Sequence, residues 1–128
     1  MATARDDFLL RQLGLVAEAL RRLRARLGGG ASAEEVMPAI RAAEGELLGT
    51  RTPLLRSLDA ATAASLLGST EAVGLWVELL RLEAQAHRAA GDERAAQAVE
   101  HRAMRLEQVL AAEHRSGPPS PGAPRDGQ

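Results

Sequence analysis

The chain has no cysteine, which removes disulfides, thiolate zinc sites and thiol catalysis together. Lysine, asparagine and tyrosine are also missing, and aromatic residues make up only 2% of the chain. That leaves little for nucleobases to stack on. No stretch approaches the roughly 18–20 uninterrupted apolar residues that span a bilayer. The opening MATARDDFLLRQLG sets acids ahead of its apolar run and an arginine inside it, unlike a secretory signal. Net charge is small as well: 16 basic residues face 17 acidic ones, leaving −1. No bulk field therefore draws the chain to nucleic acid or to an anionic membrane. Together these absences predict a soluble, cytoplasmic protein.

Alanine, arginine, glycine and proline are favoured, and all are encoded by G- and C-rich codons, the bias of a GC-rich bacterial genome. Every basic residue is arginine. The codon bias accounts for that choice, so it does not signal phosphate recognition. The 128 residues suit one domain, large enough to bury roughly two thirds of its unfolded surface without cross-links.

Hydrophobic spacing predicts helices throughout. Leu9, Leu13, Val16, Leu20, Leu23 and Leu27 recur at alternating intervals of four and three, a 3.5-residue period that places them on one seam. Phe8, Leu10 and Leu15 widen this apolar face. Thr3 is the expected cap, and Gly28–Gly30 the stop. A second helix opens on the capping box Ser32–Glu35 and carries Val36, Ile40, Ala43 and Leu47 to Gly49. Pro38 lies beyond its first turn, which predicts a kink there or a regular helix starting near that residue. The glutamates of this helix are expected to face the arginine-rich end of the first.

Shorter pieces follow. Thr52 as cap and Pro53 at the first helical position open a helix over 53–58. Asp59 opens another over 60–67, closed by Gly68. Leu54, Leu55, Leu58, Leu66 and Leu67 are expected to plug the open end of the fold. From a cap at Thr70, a long helix to about Ala90 carries apolar residues on most sides and should be the most buried element. Gly91-Asp92 turns the chain into a last helix over 93–114, with its seam at Ala96, Val99, Ala103, Leu106 and Leu110. Short connections make neighbours antiparallel. The expected fold is all-α, an antiparallel bundle of four main helices with a short helical connector. It occupies residues 1–115, and a disordered Pro/Gly-rich tail follows over 116–128.

No set of residues in the sequence meets the requirements of a known catalytic or metal-binding chemistry. His87, His101 and His114 do not converge; Glu83 and His87 sit one turn apart, two ligands where zinc needs three or four. The serines occupy caps, connectors or tail, without a nucleophile elbow. Gly28–Gly30 is a turn, and Glu34 and Glu35 beyond it would repel a phosphate. Glu44 and Glu46 fall on different helix faces. The reading is therefore a non-enzymatic protein with no catalytic residue, no metal ligand, no cofactor and no small-molecule substrate. Two surfaces remain. Phe8, Leu10 and Leu15 form a candidate interaction face for a protein partner or for self-association. Arg21, Arg22, Arg24 and Arg26 form a candidate anion or partner contact. They are the basis of an alternative reading as a nucleic-acid or membrane-surface accessory protein, although neither partner is favoured.

Two resemblances accompany these patterns. Ala84, Gly91-Asp92, Ala96 and Ala103 stand where a tetratricopeptide helix pair places small residues around its turn, so the last hairpin resembles that motif over about residues 70–112. The motif's aromatic signature positions are unmatched, and one such unit could not build the repeat's concave groove. The stretches RDDFLLRQL (5–13), ELLGT (46–50), LLRSLDAATAASLLG (54–68) and LLRLEAQAHRAAGDERAAQAVEHRAMRL (79–106) resemble a family of small uncharacterised bacterial all-helical proteins. That resemblance implies a fold and leaves function open.

Overall fold

The computed structural model describes residues 4–116, and all elements named below lie within them. The first helix, α1, spans Ala4–Gly28, and the glycines that follow end it as expected. Helix α2 spans Ala33–Leu48; Ser32 caps it by accepting from the Glu35 amide at 3.3 Å. It starts before Pro38 and runs through it, contrary to a start at the proline. The ring deletes one amide donor on an exposed face, where water can serve the freed carbonyl.

Gly49, at φ +68°, turns the chain into a 3₁₀ turn over Gly49–Arg51 and then α3 over Thr52–Ser57. Thr52 lies inside this helix and is not its cap. Its hydroxyl donates back to the Gly49 carbonyl at 2.8 Å, an acceptor supplied by the 3₁₀ turn. Helix α4 spans Ala60–Leu67; Asp59 accepts from the Thr62 amide at 3.1 Å, and Gly68 closes it in the left-handed conformation. Helix α5 spans Thr70–Ala89 with Ser69, one residue before the expected Thr70, accepting from the Ala72 amide at 3.1 Å. Helix α6 spans Glu93–Ser116, its first turn held by Asp92, which accepts from the Ala95 amide. The expected cap at Thr3 and the tail from 117 onward lie outside the described residues.

Among the described residues the structure is all-helical, with six α-helices, one 3₁₀ turn and no strand. None of those helices is long and apolar enough to cross a membrane. Helix α5 sits in the middle, packed against α1, α2, α4 and α6. Its two apolar faces serve different clusters. Val73, Trp76, Val77 and Leu80 pack with Leu48, Leu55, Ala60, Ala63, Ala103 and Leu106. Leu79, Leu82 and Ala86 pack with Val16, Leu20, Leu23, Val36, Ile40 and Ala43. Arg81 pairs with Glu107 and Arg88 with Glu100, so numbers rise along α5 as they fall along α6, and the two helices run antiparallel.

The connector differs from expectation. Leu55 is fully buried and Leu58 and Leu67 partly so, but Leu54 and Leu66 point to solvent. A six-residue helix offers one narrow buried stripe, and adjacent leucines lie about 100° apart around its axis. In α4 the buried positions are Ala60, Ala63 and Ala64, small enough for close approach to α6.

Candidate functional site

The apolar face of α1 divides once its neighbours are in place. Val16, Leu20 and Leu23 are buried as the seam requires, whereas Leu9 of the same seam is half exposed. Helix α1 is nine residues longer than α2, and Gln12 already reaches the end of α2 by donating to Glu46 at 2.9 Å. The first turns of α1 therefore have no α2 opposite them. Phe8, Leu10 and Leu15 are 58%, 65% and 56% exposed. They do not share one face. Phe8 and Leu15 are seven residues apart and lie together on the α2 side, while Leu10 is about 200° around the axis from Phe8. A shallow groove between the helices is lined by Phe8, Gln12 and Leu15 on α1 and by Ala39, Ala42 and Gly45 on α2.

The arginines at 21–26 are all exposed. Arg21 lies 3.6 Å from Glu18 on its own helix, and Arg24 pairs with Glu78 of α5. The expected pairing with the glutamates of α2 is not what forms. Glu46 takes Gln12 and Glu44 is buried inside the fold, while Glu34 and Glu35 stay exposed and form no ion pair with these arginines among the described residues. Among the described residues Arg22 and Arg26 form no ion pair.

The most constrained polar group is one that residue-by-residue reading missed. Glu44 of α2 and Glu83 of α5 are only 4% and 3% exposed. Arg56 of α3 reaches between them: its Nε donates to both Glu44 oxygens, at 3.1 and 2.9 Å, and its Nη2 donates to Glu83 Oε1 at 2.6 Å. Trp76 Nε1 donates to Glu44 Oε2 at 3.0 Å, and His87 Nε2 lies 3.3 Å from Glu83 Oε2. Each carboxylate oxygen thus has a partner. Burial works against the charge on Arg56, but the hydrogen bonds it donates to Glu44 and Glu83 outweigh that and hold the guanidinium above its ordinary value.

Arg102 of α6 completes the cluster. Its guanidinium stands 5.3 Å from the centre of the Trp76 ring, within cation–π range. Its Nη2 donates to the Leu55 carbonyl at 2.6 Å and its Nη1 to that of Leu58, which fixes the end of α3. Its Nε is buried with no partner. Burial pulls Arg102 below the usual arginine range, and the nearby Arg56 charge adds to that, while Asp59 opposes it. Two carboxylates and two guanidiniums thereby tie α2, α3, α5 and α6 together around one indole.

Sequence did carry a signal for this group. Glu44 stands four residues after Ile40 and Glu83 seven after Trp76, so both acids occupy seam positions where apolar residues belong. Glu83 and His87, noted as a weak two-ligand pair, do meet, but His101 and His114 are exposed and separate. No group of three or more histidine or acidic side chains able to hold a metal occurs among the described residues. Comparisons of the chain with family models, with curated proteins and with solved structures give no match.

Proposed function

We propose that this chain is a non-enzymatic, cytoplasmic protein–protein interaction module whose contact face is the N-terminal half of α1. The observation that carries this reading is the exposure of Phe8, Leu10 and Leu15, with Leu9 beside them, on a helix end that overhangs its neighbour. Phe8 and Leu15, on the same side of the helix, form the contiguous part of this apolar surface, and a contiguous exposed apolar surface marks a place that meets another chain. The buried Glu44–Arg56–Glu83 group supports the same reading by saturation. Its carboxylate oxygens are spent on internal partners, which suits a fixed scaffold.

The finer architecture belongs to this proposal: four main helices as an antiparallel bundle, with the last hairpin built like a tetratricopeptide pair. Buried Ala84, Ala96 and Ala103 at the α5–α6 contact favour it. The likeness to small bacterial helical proteins is consistent with such a module. Replacing Phe8 and Leu15 together by glutamate tests the function. The double variant should keep its helical circular dichroism and melting temperature while losing association, read by sedimentation and by cross-linking in the host. Association that survives both substitutions overturns the reading.

A further inference from the structure

The outward side of α1 carries a charge order that reads as its own complement. Asp7, Arg11, Glu18 and Arg22 are exposed, as are Gly14 and Leu15 between them. At about 100° per residue these six fall within an arc of roughly 100°, opposite the buried seam of Val16, Leu20 and Leu23. Leu10 bounds that arc on one side and Phe8 on the other.

Resting on the interaction reading above, we propose that the partner of α1 is the α1 of a second copy of this chain. The two helices lie antiparallel about a two-fold axis passing between Gly14 and Leu15. In that register Asp7 faces Arg22 of the second copy and Arg11 faces its Glu18, each pair occurring twice by symmetry. Beside the axis, on opposite flanks of the arc, Gly14 meets Gly14 and Leu15 meets Leu15 of the second copy. The parallel alternative sets Asp7 against Asp7 and Arg11 against Arg11, like charges directly opposed. The order of charges therefore selects the antiparallel arrangement.

Two further observations fit this register. Gly14 sits inside a helix, where glycine costs about 0.5–1 kcal/mol relative to alanine. Nothing in the chain lies within 4 Å of a Cβ placed there, so internal packing does not require glycine. Close approach of the second copy's helix, Gly14 against Gly14, would make use of the missing Cβ. The bland alternative is that these charges serve as pairs within α1, Asp7 with Arg11 and Glu18 with Arg22. Among the described residues neither closes, and Glu18 leans instead toward Arg21 at 3.6 Å. Phe8, at the rim, comes to lie over Ala19 and the aliphatic stem of Arg22 of the second copy, covering apolar surface that the single chain leaves in water.

Charge reversal tests the register on the full chain. At tens of micromolar the unaltered protein should sediment as a dimer. Asp7→Arg alone and Arg22→Asp alone should each weaken the dimer about tenfold or more at low salt, two symmetric contacts turning repulsive. Mixing the two variants should restore association, because each then carries the charge the other lacks. The absence of cysteine makes a second readout clean: Asp7→Cys mixed with Arg22→Cys should form an interchain disulfide, and Asp7→Cys alone should not. A monomeric unaltered protein overturns the proposal, as does self-linking of Asp7→Cys. Dimerisation that Phe8→Glu with Leu15→Glu abolishes but charge reversal ignores also overturns this register, while leaving the broader interaction reading in place.

Discussion

Trp76 Nε1 donates to Glu44 Oε2 at 3.0 Å, joining the centre of α5 to α2 through a carboxylate almost wholly removed from water. The indole is at once the largest fully buried side chain and a hydrogen-bond donor to a charge. Its neighbours therefore have to satisfy both shape and charge, and Arg56 and Arg102 do so from two different helices.

Trp76 is the single tryptophan, so its emission reports this site alone. With its ring at 0% exposure, the folded protein should emit well to the blue of free indole and shift to the red on unfolding. A folded-state spectrum matching that of indole in water would contradict the central place of α5.

Removing Arg56 strands two buried carboxylates. Arg56→Ala should cost about 3 kcal/mol of unfolding free energy in a urea titration, in the lower part of the range for breaking a buried pair because Arg56 is one third exposed. Replacing Glu44, Arg56 and Glu83 together by Leu, Met and Leu removes the charges as a set. That variant should recover the part of the loss that exceeds the cost of leaving the Trp76 indole N–H unpaired, about 1–3 kcal/mol. A single loss no larger than that of an ordinary surface change would show that the group is not under electrostatic constraint.

The connector gives a contrast between neighbouring leucines. Leu55→Ala should destabilise by about 2–5 kcal/mol, since its side chain is fully buried. Leu54→Gln and Leu66→Gln should each stay within about 0.5 kcal/mol of the parent. Equal losses at Leu54 and Leu55 would mean that both teeth enter the core.

Asp59 links stability to pH. Its carboxylate accepts from the Thr62 hydroxyl and amide, and these bonds hold it below the usual carboxylate range. A folded value below the unfolded one means stabilisation that is present at neutral pH and lost as pH falls through the folded value. Asp59→Asn keeps a good capping residue but not the charge. The stability difference between parent and variant should therefore shrink as pH drops from about 6 to about 3, through the unfolded carboxylate value. A difference independent of pH would remove Asp59 from the acid response.

What could be read in advance follows from how local each feature is. The seams of α1, α2 and α6 emerge from a 3.5-residue spacing that any stretch of sequence displays on its own. Ser32 and Asp59 were legible as caps because a capping bond spans three residues. The cap of α5 slipped from Thr70 to Ser69 because adjacent hydroxyls both precede the apolar run, and only backbone geometry chooses between them. Leu9 was legible as seam but not as exposed, because exposure depended on the length of α2. The group around Trp76 was hardest to see. Glu44, Arg56, Glu83 and Arg102 come from four helices, and charged residues taken singly read as surface. Phe8, Leu10 and Leu15 were visible as surplus apolar residues, yet their division between two flanks needed the neighbours to be placed.

The two apolar clusters meet along α5 and at the C-terminal end of α2, where Leu47 touches both, and this has a consequence for how the molecule opens. Amide protons of α1 and of α2 as far as Ala43 are guarded by one cluster, and those of α3, α4 and α6 mainly by the other, which also holds Leu48 at the end of α2. Swinging the α1–α2 pair away would expose one side of α5 and leave its opposite side closed. Native-state hydrogen exchange should then show two tiers: α1 and α2 exchanging through a partial opening, and the Trp76–Leu80 stretch of α5 only when the whole chain unfolds. The bond from Trp76 to Glu44 crosses that boundary, so loosening it should bring the outer tier forward first.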